Sequence, residues 1–242
     1  MQKRILINIG NTHTQVAMAD DGQVRLLEQV DTADIKVLAQ LPILEKMPVA
    51  WQASAVCVVP LVRELLHKRY GEAIRFLSCE DFPQIDFSAV DTTTLGMDRI
   101  ANAAAAYALA GGAVAVIDFG TCINTVVIDG KGCFLGGAIL PGRMLLRKAL
   151  ATYTAQLPFL PMRSELPKAI GANTLDAMAA GVDLGCIGTV RELMASTRKL
   201  VGGSCRFITA GGDAPYFLAN LPELERGPDL LTLRGVSLAR SE

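Results

Sequence analysis

A chain of 242 residues that is 51% hydrophobic and 19% charged has enough apolar material for a large core, or two, and is not a disordered chain. Its formal charge of −1 and pI near 6.2 give no general reason to bind nucleic acid or anionic lipid, and 5% aromatic residues argue against base-stacking platforms. No stretch approaches the roughly 18 uninterrupted apolar residues of a membrane span, so neither a nucleic-acid nor a membrane partner is expected.

The first element is a buried strand, Ile5-Leu6-Ile7-Asn8-Ile9, that breaks at Gly10-Asn11-Thr12. It enters directly, without the pattern of a secretory leader, and the six scattered cysteines lack metal-ligand spacing. Reduced thiols and a cytoplasmic location follow as expectations. A polar–apolar strand then runs through Met18, and an Asp20-Asp21-Gly22 turn leads to a return strand. Residues 34–44 have helical spacing and end at the Met47-Pro48 break; 49–59 read as a buried strand. Pro60 opens a helix over 60–70 whose Leu61, Leu65 and Leu66 share one stripe. A short strand at 74–77 and a polar loop over 80–94 complete a first lobe, residues 1–90.

The second lobe, residues 91–242, opens with an alanine-rich helix over 96–110 that ends at Gly111-Gly112. The opening hairpin then recurs: Val114-Ala115-Val116-Ile117-Asp118-Phe119 breaks at Gly120-Thr121, and a strand to Ile128, an Asp129-Gly130 turn and a return strand to Ile139 follow. Gly136-Gly137 and Pro141-Gly142 bracket Ile139; 143–155 is helical and 158–167 is a proline-punctuated loop. Asn173 caps a helix to about residue 184, and another runs to about 200. A strand at 207–209 enters a third glycine turn, Ala210-Gly211-Gly212, before a short helix at 215–221 and a final segment at 230–236. Strands followed by helices in both halves predict an α/β class.

A buried strand that breaks at glycine exposes backbone N–H groups, and an adjacent hydroxyl adds a donor for a phosphate oxygen. Either turn alone would be a tight turn and nothing more. As a matched pair, with Gly211-Gly212 as a third contact, they point to a nucleotide between two related lobes. Gly96-Met97-Asp98-Arg99 begins a helix, and its spacing leaves two readings open. One is a simple pairing of Asp98 with the helix dipole. In the other, Asp98 accepts a proton from a substrate hydroxyl while the Arg99 fork holds an anionic group. Asp118 is either a solvated turn residue or a ligand for a hard cation, and Asn173-Thr174 reads first as a helix cap. His67 lies on a polar helix face; His13 follows the first glycine turn without the marks of a base.

In this order, Gly10-Asn11-Thr12, Leu95-Gly96-Met97-Asp98-Arg99, Asp118-Phe119-Gly120-Thr121, Gly136-Gly137-Ala138-Ile139-Leu140-Pro141-Gly142, Asn173-Thr174 with Ala177 and Gly181, Ala210-Gly211-Gly212 and the segment 229–235 resemble the type III pantothenate kinases. That family belongs to the superfamily of acetate and sugar kinases, actin and heat-shock ATPases. The resemblance covers nearly the whole chain. It implies two ribonuclease-H-like (actin-like ATPase) lobes with mixed sheets flanked by helices, over 1–90 and 91–242, in a homodimer. It also implies transfer of the ATP γ-phosphoryl group to the primary alcohol of pantothenate. The product would be 4'-phosphopantothenate, in the first step toward coenzyme A.

Site residues follow from the same resemblance. Asn8, Ile9, Gly10, Asn11, Thr12, His13, Thr14 and Gln15, with Gly120, Thr121, Gly211 and Gly212, correspond to the ATP site. Asp98 corresponds to the proton acceptor; Gly96, Met97, Asp98, Arg99 and Thr174 correspond to the pantothenate site, with Arg99 near its carboxylate. Asp118 corresponds to the ligand of a monovalent cation, potassium or ammonium, which the family requires together with Mg²⁺.

Three departures cluster on this site. The first loop carries Asn8 where the family has aspartate, and the second hairpin carries Asn124 and Val126 where threonine and aspartate are frequent. The tyrosine expected shortly before the Gly-x-Asp-Arg motif is missing from residues 87–95. A working kinase is the expectation. The alternative is a catalytically impaired paralogue that serves as a nucleotide-binding or regulatory module.

Overall fold

The computed structural model describes residues 3–47 and 51–240. Two compact units divide the chain: Met1–Leu109 with Gly132–Phe134 and Asp229–Glu242, and Ala110–Lys131 with Leu135–Pro228. The sequence reading divides the chain at residue 90, whereas the first compact unit runs on to Leu109 and includes the C-terminal segment.

In the first unit, β1 (Arg4–Ile9), β2 (His13–Asp20), β3 (Gln23–Asp31), β4 (Ala53–Cys57) and β5 (Ile74–Phe76) form one sheet in the order β3-β2-β1-β4-β5. β1, β2 and β3 are an antiparallel meander, and β1, β4 and β5 run parallel. Period-two alternation assigns the faces. Ile5, Ile7 and Ile9 pack with Ile35 of α1 (Thr32–Leu38) and with Val62 and Leu66 of α2 (Pro60–Tyr70). Leu6 is buried on the opposite face, toward which Arg4 also points to reach the carbonyls of Ser237 and Ala239.

α1 begins two residues before the expected helix and stops well short of residue 44. Ala39 turns left-handed (φ 51°), and its N–H closes on the Ile35 carbonyl at 2.7 Å. A separate 3₁₀ turn, Leu44–Lys46, follows. Of the strand expected over 49–59, Ala53–Cys57 is strand, and Val49 and Ala50 lie outside the described residues.

α3 (Met97–Ala110) packs against α8 (Leu231–Ser237) at backbone distance. A Cβ on Gly235 would lie 1.8 Å from the Ala101 carbonyl oxygen, and Thr232 Oγ1 sits 2.8 Å from Asn102 Oδ1. α8 in turn lies on β1, β3 and β4. The run of alanines in α3 is therefore a packing device: small side chains let this helix be approached closely, and Ala101 to Ala106 are all buried, with Asn102 the largest side chain among them.

The second unit repeats the strand order. β6 (Val114–Phe119), β7 (Cys122–Ile128), β8 (Phe134–Gly136), β10 (Arg206–Ala210) and β11 (Glu225–Arg226) are arranged β11-β10-β6-β7-β8, with β9 (Ile139–Pro141) also pairing β7. β6 is antiparallel to β7 and parallel to β10, as β1 is to β2 and β4. The recurring hairpin in the sequence is thus a recurring sheet. The return strand expected to reach Ile139 is interrupted at Gly136-Gly137, because the chain crosses so close to β7 that a Cβ on Gly137 would lie 1.7 Å from the Thr125 carbonyl oxygen.

α6 (Gly185–Val201) and α7 (Ala214–Asn220) cover one face of the second sheet through Ile187, Val190, Met194 and Phe217, with Phe119 and Phe217 stacked at 3.9 Å. α4 (Arg143–Tyr153) and α5 (Thr174–Ala179) form a smaller cluster around Leu160 and Met178. The two helices expected between 173 and 200 are one continuous rod, since a π turn at Ala180–Leu184 joins α5 to α6 with helical dihedrals throughout.

Gly235→Ala is expected to lower unfolding stability by about 1–3 kcal/mol, the usual cost of overpacking, because its methyl would meet backbone rather than a movable side chain. Urea denaturation followed by circular dichroism measures it.

Candidate active site

The first glycine turn is held by its carbonyls. Thr32 N–H donates to Thr12 O at 2.8 Å, Thr32 Oγ1 donates to Gly10 O at 2.8 Å, and Val58 N–H donates to Ile9 O at 3.1 Å. Gly10 N–H itself closes the turn on His13 O at 3.0 Å, so any donors for a ligand come from the residues beside the glycine. Asn11, Thr12 and His13 are exposed. Ile9 and Thr14 are not: Ile9 is core, and the Thr14 hydroxyl lies 3.0 Å from that of Thr32 inside the brace. His13 Nε2 faces Asp31 at 3.5 Å. Gln15 pairs with Asn8 across the hairpin; Asn8 Nδ2 is 3.5 Å from Gln15 Oε1, and Asn8 Oδ1 is buried with no hydrogen-bond partner.

The second turn is braced in the same way. Gly142 N–H donates to Thr121 O at 2.9 Å and Asp213 N–H donates to Phe119 O at 3.0 Å, while Gly120 N–H closes on Cys122 O at 3.0 Å. Gly120 and Thr121 are exposed. Gly211 and Gly212, also exposed, pass directly over the end of β6. Gly211 has φ +87°, and a Cβ there would lie 2.4 Å from both Asp118 Oδ1 and the Phe119 carbonyl oxygen. The structure therefore brings Gly120, Thr121, Gly211 and the Asp118 carboxylate together in the second unit. Asp118 pairs across the hairpin with Asn124, as Asn8 does with Gln15. Val126 is a buried core residue opposite Val116, where an apolar side chain suits the sheet.

Asp98 stands in the first turn of α3, half-buried. Its Oδ1 accepts the Arg99 N–H at 2.7 Å and folds back over Gly96, where a Cβ would come within 2.7 Å of it. Burial pushes the Asp98 carboxyl above its ordinary value, outweighing the Arg99 amide and guanidinium, which pull it down. A carboxylate held partly out of water, on a rigid helix, is what a proton acceptor needs.

Asn173 caps α5 through Oδ1, which accepts the Asp176 N–H at 3.0 Å. Thr174 is exposed and lies in the wall of an apolar groove of about 570 Å³ lined by Leu146, Leu150, Leu157, Met178 and Val182. Sequence reasoning did not find a buried ionic cluster in the same unit, formed by Arg143, Arg147, Asp183 and Asp213. Two arginines four apart on an amphipathic helix resemble a solvated stripe, although Asp183 shares the buried face of its own helix with Ala179 and Ile187.

Among the described residues, no cluster of three or more His, Cys, Asp or Glu is built to hold a metal. The unpartnered Asn8 Oδ1 stands near the end of β1 in the first unit, and the Asp118 carboxylate near the end of β6 in the second.

The type III pantothenate kinase family model matches residues 4–196. The type III pantothenate kinase of Desulfatibacillum aliphaticivorans is 34% identical over 248 aligned residues, covering 97% of this chain and 96% of that protein. That of Endomicrobium trichonymphae is 35% identical over 189, covering 76% and 72%. Among solved structures, a Baf family protein from Campylobacter jejuni shares the fold with a TM-score of 0.65 at 20% identity, over 96% of this chain and 95% of that one. A ROK family glucokinase from Streptomyces griseus shares it at 0.55 and 14% identity, over 98% and 99%. The fold is that of the actin-like ATPases, and the chain belongs to the type III pantothenate kinase family and is a kinase.

Proposed function

We propose that this protein transfers the γ-phosphoryl group of ATP to the primary alcohol of pantothenate, giving 4'-phosphopantothenate and ADP, in the cytoplasm and as the first step toward coenzyme A. The observation that carries this reading is Asp98, a half-buried carboxylate with a raised pKa in the first turn of α3, beside Arg99. In the proposed reaction Asp98 takes the proton of the alcohol as its oxygen bonds to the γ-phosphorus and the bond to the β,γ-bridging oxygen breaks. Arg99 pairs with the pantothenate carboxylate, a match for its planar fork. Gly96 and Met97 would line the same pocket and Thr174 would add a substrate contact.

Asn11, Thr12, His13, Gly120, Thr121, Gly211 and Gly212, all exposed, would meet ATP. Asn8 and Gln15 would approach it from the hairpin pair, and Ile9 and Thr14 would act by fixing the turn from below. Mg²⁺, when bound, would neutralise phosphate charge, with Asn8 Oδ1 as a protein-side oxygen; Asp118 would hold potassium or ammonium. Phosphoryl transfer depends mainly on position and charge, which suits turns whose carbonyls are pinned.

The groove beside Thr174, with Tyr153 86% and Ile170 85% exposed in the same unit, supports a homodimer. Light scattering should give twice the chain mass, and Leu150→Asp, in the groove wall, should give monomer.

With ATP, Mg²⁺ and ammonium present, ADP release should depend on pantothenate. Asp98→Asn should lower kcat by about 10²–10⁴-fold, the usual worth of a general base, with the fold unchanged by circular dichroism. Only the ionised carboxylate accepts a proton, so kcat/KM should fall as pH drops through the raised Asp98 pKa, with an acid limb above the ordinary aspartate value. Unchanged turnover in Asp98→Asn would overturn the assignment.

Asn8→Asp places a charge on an atom that now lacks a partner. Its expected effect is a lower Mg²⁺ concentration for half-maximal activity, read from a Mg²⁺ titration at saturating ATP.

A further inference from the structure

Arg143 and Arg147 are 1% and 0% exposed, and both reach Asp183, itself 1% exposed. Arg147 Nη2 binds its two oxygens at 2.7 and 2.8 Å, and Arg143 Nε binds Oδ1 at 2.8 Å. The remaining Arg143 nitrogens extend further: Nη1 donates to Asp213 Oδ1 at 2.9 Å and Nη2 to the Arg163 carbonyl at 2.7 Å. The guanidinium lies over the Tyr216 ring at 3.4 Å. Two cations and two carboxylates balance, but replacing such a buried ionic group by well-packed apolar side chains is often neutral or stabilising. Stability alone therefore does not account for the arrangement, and its geometry does.

Arg143 directly follows Gly142, whose N–H holds the Thr121 carbonyl, and Asp213 holds the Phe119 carbonyl through its own N–H. These two donors grip the Gly120-Thr121 turn from either side, and the Arg143–Asp213 bond ties one to the other. The result is a closed ring: Phe119, Gly120, Thr121, Gly142, Arg143, Asp213 and back to Phe119. In the first unit, by comparison, Thr32 and Val58 hold the equivalent carbonyls.

We propose that Arg143 is a positioning residue for the Gly120-Thr121 turn, fixing through Asp213 the shape in which that turn meets the nucleotide. The nucleotide part rests on the function proposed above; the locking of the turn does not. Asp183 and Arg147 seat the Arg143 guanidinium so that its outer nitrogen can reach Asp213.

The test uses Asp213→Ala, which deletes the tie and leaves the buried Arg143–Asp183–Arg147 group intact, and Asp213→Asn, which keeps an acceptor. The Asp213 side chain is 23% exposed, so the freed Arg143 nitrogen can be hydrated. Hydrogen–deuterium exchange without nucleotide should rise about tenfold at residues 119–122 in Asp213→Ala, and much less in Asp213→Asn, because releasing a local brace lowers the opening free energy there and not globally. The dissociation constant for the non-hydrolysable analogue AMPPNP should rise about tenfold in Asp213→Ala with the asparagine variant recovering most of it, the scale of one charge-assisted hydrogen bond. Unchanged exchange at 119–122, or a rise spread evenly over the second unit, would overturn the proposal. Locally raised exchange in a protein that does not bind AMPPNP even as wild type would instead overturn the ATP reading and leave the brace standing.

Discussion

Both glycine turns depend on one constraint: their carbonyls are gripped by backbone donors from the same two places in each unit. The segment that follows the hairpin supplies one donor, Thr32 N–H in the first unit and Gly142 N–H in the second. The end of the next parallel strand supplies the other, Val58 N–H and Asp213 N–H. A buried carbonyl left without a partner costs about 1–3 kcal/mol, so the bonds to Ile9 and Phe119, both core residues, define the turn rather than decorate it. They also demand close approach. In the second unit a Cβ on Gly142 would lie 2.4 Å from the Gly120 carbonyl oxygen, and Gly211 has no room for one over Phe119. Gly10 and Gly120, which look like phosphate contacts in the sequence, spend their own N–H groups inside the turn, and the donors that remain for a ligand there belong to their neighbours.

The repeat is equal in backbone and unequal in charge. The cross-strand pair behind the first turn, Asn8 and Gln15, is neutral, and the pair behind the second, Asp118 and Asn124, carries a carboxylate. The braces differ likewise. Hydroxyls of Thr14 and Thr32 complete the first, whereas a guanidinium between two carboxylates completes the second.

The parts of this structure legible in the sequence are those set by local pattern. The two hairpins, α2 from Pro60 and the alanine helix α3 follow from periodicity and breakers, and Asn173 caps as its type predicts. What was not legible depends on contacts distant in sequence. The stop at Ala39 is a left-handed residue with no glycine to announce it. The π turn at Ala180–Leu184 leaves no mark in the sequence, and Asp183, four positions from the buried Ala179 and Ile187, is the one acid on an otherwise apolar buried stripe. The return of the last helix to the first unit depends on Gly235 meeting Ala101, a pair more than a hundred positions apart. For the site, the residue types were readable but not their division of labour: Ile9 and Thr14 sit within the stretch assigned to ATP, and both point into the protein.

The position of Asp98 shows how far such contacts reach. The N-terminus of a helix favours a carboxylate through its dipole, and the Arg99 amide and guanidinium add to that. Burial nevertheless wins and raises the Asp98 pKa, the direction that makes a carboxylate a stronger base. That balance requires the first turn of α3 to stay where it is. One turn along, the Ala101 backbone is pressed against Gly235 of α8, and α8 rests on β1, β3 and β4. β1 is the strand that ends in the first glycine turn, so α8 ties the proposed base and that turn to a single sheet within the first unit. The C-terminal segment, which carries none of the proposed chemistry, is therefore what keeps the carboxylate and the turn in register.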